Sequence, residues 1–154
     1  MVAHDLAAMC GLNVPKAEAV KFSKLGTTFL IKRFDRDGEK RIHFSSAMTM
    51  LGKRDGASAE DGSSYLEMVS FLKANGAKPQ RDLQELWKRI VFSMSVSNTD
   101  DHFRNHGFIL SDTGWELSPL YDVNPDIYGE YLSLNVDNDN SSINFRLAVA
   151  AAPF

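Results

Sequence analysis

The strongest constraint on this chain is a change of period between residues 83 and 117. Leu83, Leu86, Trp87, Ile90, Val91 and Met94 recur at three and four, one apolar stripe of an amphipathic helix facing a core. That period gives way to SNTDDHFRN at Ser97–Asn105, and beyond it GFIL and WEL, joined by the turn SDTG, predict a short hairpin. A helix and a hairpin that share one core hold the polar stretch between them in a fixed place. The fold class that follows is α+β.

Upstream, residues 1–44 read as a helix followed by an antiparallel meander. Val2, Leu6, Met9 and Cys10 have helical spacing, so Cys10 is expected to be a buried, inert thiol. Gly11 stops that helix, and Pro15 keeps Val14–Phe22 extended. TTFLIKRF alternates Phe29 and Ile31 with Leu30 and Lys32, DRDG is a turn, and RIHF is the expected partner strand. Residues 45–63, rich in Gly, Ser, Lys and Asp, read as a loop. Residues 64–154 form the helical part: Ser64 and Glu67 make a capping box before Tyr65, Met68, Val69 and Leu72, and Gly76 ends that helix. Tyr65, Phe71, Trp87 and Phe92 are expected in the core.

A length of 154 residues fits one domain, and 17 basic against 20 acidic side chains give a net charge of -3, with no electrostatic footprint for nucleic acid or an anionic membrane. No apolar run approaches the roughly 20 residues of a membrane span, and no signal peptide is evident, so the expected location is the cytoplasm, which the lone cysteine also suits. The first helix has no capping residue ahead of it and RLAVAAAPF stops in apolar sequence, so the chain reads as a segment of a larger protein.

Phosphoryl transfer needs a carboxylate to orient the attacking hydroxyl and oxygen ligands to hold magnesium against phosphates. Asp100 and Asn105, with four residues between them, have the spacing of a kinase base and its metal-binding asparagine. Asp122, in LYD after the hairpin, supplies a second metal ligand, and one carboxylate plus one amide oxygen suits magnesium. Plainer meanings stand beside these. Asn98, Asp100 and Asp101 are ordinary helix-cap and turn residues. His102 and His106 have transition-metal spacing only on a helix, which Asn105 and Gly107 oppose. Asp35 suits a turn initiator, and DNDNSS is half a calcium loop without the closing glutamate.

The wider text is more specific. NTDDHFRN at Asn98–Asn105 and LSPLYD at Leu117–Asp122 resemble the HipA family of bacterial toxin kinases, whose catalytic segment runs close to N-x-D-D-H-x-(K/R)-N, a hairpin, then L-x-P-x-Y-D. LAAMCGLNVPKAEAV, LIKRFDR, SSYLEMVSFLKANG and DLQELWKRIVFS extend the likeness over nearly the whole chain. The resemblance implies a protein-kinase-like fold, incomplete at both ends, that uses ATP and magnesium. It implies Asp100 as catalytic base, Asn105 and Asp122 as metal ligands, and the backbone around Lys32 and Phe34 as the hinge that meets adenine. Asp35 and His102 would lie near the ribose, and Arg104 would steady the loop or phosphate charge. Implied partners are a protein with a Ser/Thr acceptor and a HipB-like DNA-binding antitoxin. Family kinases carry, ahead of this region, a phosphate-covering loop and a strand lysine that no segment here matches, so weak nucleotide binding is expected of this chain alone. Two other functions remain open at this point: a non-catalytic module that binds such an antitoxin, and a small-molecule phosphotransferase.

Overall fold

The computed structural model describes residues 2–126 and 128–152. Its elements are α1 (Val2–Met9), β1 (Ala17–Ser23), β2 (Gly26–Ile31), β3 (Arg36–Asp37), β4 (Lys40–Arg41), β5 (Phe44–Ser46), α2 (Ala47–Met50), α3 (Tyr65–Asn75), α4 (Pro79–Ser95), β6 (Gly107–Ser111), β7 (Gly114–Leu117) and α5 (Phe145–Ala150). Single 3-10 turns lie at Ala59–Asp61 and Phe103–Asn105.

The α4 stripe does what its period requires. Leu83, Leu86, Ile90 and Met94 are buried with Tyr65, Met68 and Leu72 of α3, and Phe108, Leu134 and Val136 close the same core. Fully burying one such side chain contributes about 1.5–3 kcal/mol. α3 begins on the expected capping box, with the Ser64 hydroxyl accepting from the Leu66 amide and Glu67 reaching back to the Ser64 amide. It ends at Gly76, where any Cβ would stand 2.3 Å from the Leu72 carbonyl oxygen. β6 and β7 form the expected hairpin, in register Phe108↔Leu117 and Ser111↔Gly114.

Four expectations are corrected. RIHF does not pair with TTFLIKRF: Phe44–Ser46 pairs antiparallel with β6, while Arg36–Asp37 and Lys40–Arg41 close a separate two-residue ladder. The cause lies at Asp35, whose carboxylate binds the guanidinium groups of Arg33 and Arg36 and whose carbonyl accepts from the Ile42 amide, turning the chain out of the first hairpin. β1 and β2 therefore pair only with each other, and Phe29, Leu30 and Ile31 are exposed on both faces rather than on one. On α1 the buried positions are Ala3 and Ala7, the latter packed with Leu12, Phe92 and Leu120, so Cys10 is exposed together with Val2, Leu6 and Met9. Small side chains let that helix approach closely, which turns its larger residues outward. Residues 45–63, read as loop, contain the end of β5, α2 with its wholly buried Ala47, and a 3-10 turn.

Among the described residues no helix is long and apolar enough to cross a membrane.

Candidate active site

The polar loop is anchored from below. As α4 ends, Ser97 takes φ +52 and the Asn98 amide donates to the Ser93 carbonyl over 2.8 Å. Asp101 then points into the core, where its Oδ2 accepts from the Tyr65 hydroxyl at 2.7 Å and the Ser93 hydroxyl at 3.1 Å. His106 Nε2 stands 2.9 Å from Asp101 Oδ1, with both side chains buried. Burial alone would raise the Asp101 carboxyl, yet the His106 imidazole and the two hydroxyls hold it below its ordinary value. The same carboxylate, with burial, pushes the Tyr65 phenol well up. Asn98 completes the network, donating to the Ser93 hydroxyl and accepting from the Asn124 amide.

Asp100 has the opposite environment from its neighbour. Its side chain is 77% exposed, with Oδ1 3.6 Å from His102 Nε2. Asn105 is buried and its Nδ2 donates to the Asp100 carbonyl over 2.8 Å, which fixes the backbone that carries the carboxylate. The Arg104 guanidinium forms an ion pair with Asp55 on the preceding loop, 2.7 Å away.

A strap returns Asp122 to this loop. The Tyr121 hydroxyl donates to the Arg104 carbonyl at 2.8 Å, joining the residue before Asp122 to the residue before Asn105. Burial raises the Tyr121 phenol, so it stays a donor. Arg89, buried on α4, donates to Glu85 and to the Ser118 carbonyl, while Glu85 accepts from the Asn13 amide and the Asn13 carbonyl accepts from Leu120. One helix face thus clamps both the linker after α1 and the start of the strap. Burial lowers the Arg89 guanidinium from its ordinary value, and the Glu85 carboxylate opposes that loss. Asp122 itself takes φ +56, a conformation that costs a non-glycine residue energy and often marks a functional position, and its Oδ1 accepts from Asn124 Nδ2.

The segment after β2 reaches the strap through aromatic rings. Phe34 packs against Phe44 and Tyr121 with centroids 5.5 and 5.7 Å away. The Lys32 amide donates to the Lys16 carbonyl, which extends the β1–β2 ladder by one bond. Two guanidinium groups enclose the Asp35 carboxylate, and the Arg33 hydrogen bond first among these contacts holds it at about 2. A cavity of about 350 Å³ lies beside the strap, lined by Ala7, Val14, Phe29, Ile31, Tyr121 and Asp122 among others.

The family model of the HipA-like C-terminal domain matches residues 1–152. The chain belongs to that family. A curated relative, the serine/threonine-protein kinase toxin HipA of Shewanella oneidensis, is 28% identical over 168 aligned positions that take in 93% of this chain. This HipA-like domain spans 39% of that relative's length. Among solved structures, the Shewanella HipA complex with HipB and operator DNA matches with a TM-score of 0.80 at 20% identity, covering 97% of this chain and 44% of that one. The Helicobacter pylori proinflammatory kinase CtkA matches with a TM-score of 0.70 at 14% identity, covering 92% of this chain and 60% of that one. The fold of the HipA-like domain is therefore the mixed, kinase-like one.

Within it, Asp100, His102 and Asn105 share one loop, Tyr121 brings Asp122 onto that loop, and Phe34 joins through its ring. Asp35 is committed to its arginines, the contact of a turn anchor. His102 and His106 do not converge: the first faces Asp100 and Arg104, the second Asp101. Tyr65, Glu85, Arg89, Ser93, Asp101 and Tyr121 hold the site and were not singled out for it by sequence. A signal existed on α4, where Asp82, Arg89 and Ser93 fall on the buried stripe at spacings of seven and four.

Proposed function

We propose that the chain is the catalytic segment of an ATP-dependent protein kinase that phosphorylates a serine or threonine hydroxyl. One observation carries this reading: Asp100 is presented to solvent by a loop whose next residue is locked in the core, with the Asp122 strap bonded to the same loop. Asp100 orients the acceptor hydroxyl and takes its proton. Asn105 commits Nδ2 to Asp100, which leaves Oδ1 as its ligand atom, and Asp122 commits Oδ1 to Asn124, which leaves Oδ2. One amide oxygen and one carboxylate oxygen are the hard donors that suit magnesium, which keeps waters and phosphates in its remaining positions. When bound, the metal neutralises charge on the transferred phosphoryl group. The backbone of Lys32–Phe34 receives the adenine, and His102 lies on the ribose side of Asp100.

A second reading, a binding module without catalysis, draws on the solved Shewanella HipA complex, which holds HipB. A HipB-like antitoxin is the partner it suggests here. Replacing Asp100 by asparagine separates the two: transfer to protein acceptors in the full-length protein falls by orders of magnitude if the aspartate is a base, while antitoxin binding is unchanged. The nucleotide site is tested by calorimetric titration of the chain with magnesium ATP. Heat that vanishes in Asp122→Asn supports the metal assignment, and equal heat in both proteins rules it out.

A further inference from the structure

Beside the catalytic loop, on a different opening from the Asp122 cavity, lies a cleft of about 380 Å³. Arg54, Asp55 and Ser58 form one wall, and His102, Phe103 and Arg104 form the other. The two cavities share no lining residue. Asp100 is exposed, and its Oδ1 lies 3.6 Å from Nε2 of His102, a residue that lines this cleft.

We propose that this cleft is the acceptor-side subsite of the phosphotransfer reaction, and that it takes a carboxylate of the acceptor polypeptide near its serine or threonine; the inference rests on the kinase reading above. The chemistry is already displayed inside the molecule. Asp55 Oδ1 sits 2.7 Å from Arg104, although the Asp55 side chain is 70% exposed. It stands on a turn flanked by Gly52 and Gly56, both at positive φ, which holds the carboxylate over the cleft. Such an exposed pair adds little stability and exchanges readily for another carboxylate. An incoming carboxylate has more to gain than Asp55. It meets Arg104 and also Arg54, which makes no ion pair among the described residues. Asp55 is thus a stand-in that the substrate displaces, and two guanidinium groups give the charge-assisted bonds that favour the exchange.

The test is nuclear magnetic resonance of the isotope-labelled chain, following backbone and guanidinium signals. Three probes are titrated: a serine peptide flanked by glutamates, its glutamine counterpart, and inorganic phosphate. Saturable shifts at Arg54 and Arg104 with the glutamate peptide alone are expected. Asp55→Asn, at an exposed position, should tighten that peptide about fivefold, the factor that loss of one exposed ion pair allows. Arg54→Gln should weaken it. Equal shifts with the glutamine peptide, phosphate that saturates the same signals as tightly, or an affinity unmoved by Asp55→Asn would each overturn the proposal. Magnesium ATP titrated into the same samples reports on Tyr121 and Asn124. Peptide binding in the full-length protein without any response to magnesium ATP there would sink the kinase reading while leaving the carboxylate site standing.

Discussion

Asp100 and Asp101 are adjacent and identical in chemistry, and their surroundings give them opposite work. Asp101 is buried against Tyr65, Ser93 and His106, so Asp101→Ala strands three polar groups in the core. Loss of about 3 kcal/mol is expected from leaving such partners unsatisfied. Asp100→Ala should change stability by less than about 0.5 kcal/mol, as surface substitutions do. Equilibrium urea unfolding of the two variants checks the contrast. Asp35 gives a pH signature. Its carboxyl is held at about 2 in the folded chain, below the ordinary value of 3.8. Its stabilising contribution is therefore complete above about pH 4 and is lost as pH falls toward about 2. Asp35→Asn should lose less unfolding free energy over that interval than the parent chain, measured by urea titrations at successive pH values. Sequence could name Asp100, Asn105 and Asp122 because motif spacing is local. It could not show that Asp101 is buried, since what holds it in the core is Tyr65, which lies 36 positions away.

At the scale of elements, periodicity succeeded wherever a segment packs by its own pattern. α3, α4 and the β6–β7 hairpin stand where their capping box, apolar stripe and SDTG turn place them. It failed where a distant partner decides. β5 pairs with β6 rather than with the neighbouring β2, and nothing in RIHF encodes that choice. The expected core thiol failed for a related reason: α1 buries its alanines, and only the position of Phe92 and Leu120 says which side of the helix is covered. The two helices also differ in what supports them. Leu86→Ala, deleting a fully buried side chain of α4, should lower stability by about 2–5 kcal/mol, and Ser64→Ala, removing the α3 cap, by about 1 kcal/mol. Chemical denaturation of both, compared with helix content by circular dichroism, tests that ranking.

Over the whole molecule, stability is unevenly placed. The α3–α4 base and the β5–β6–β7 sheet share the large core, whereas β1 and β2 form a two-stranded ribbon with exposed Phe22, Phe29, Leu30 and Ile31. A lone ribbon is marginal in water. Amides of β1 and β2 should exchange hydrogen far faster than those of α3 and α4, by about a hundredfold or more, and exchange followed by mass spectrometry or resonance decides it. Slow, uniform exchange across the chain would mean that the ribbon is held by contacts other than its own ladder. The nucleotide reading depends on this layer, because Lys32 and Phe34 follow directly on β2 at the edge of the ribbon, and Phe34 packs on the Phe44 and Tyr121 rings.

The outward-facing Cys10 is the chain's one cysteine. Because that thiol meets solvent, two molecules can join through it without unfolding either. In aerated buffer the protein should slowly acquire a species of twice its mass that a reductant dissolves. Any apparent self-association of this chain is therefore interpretable only when the redox state of the sample is fixed.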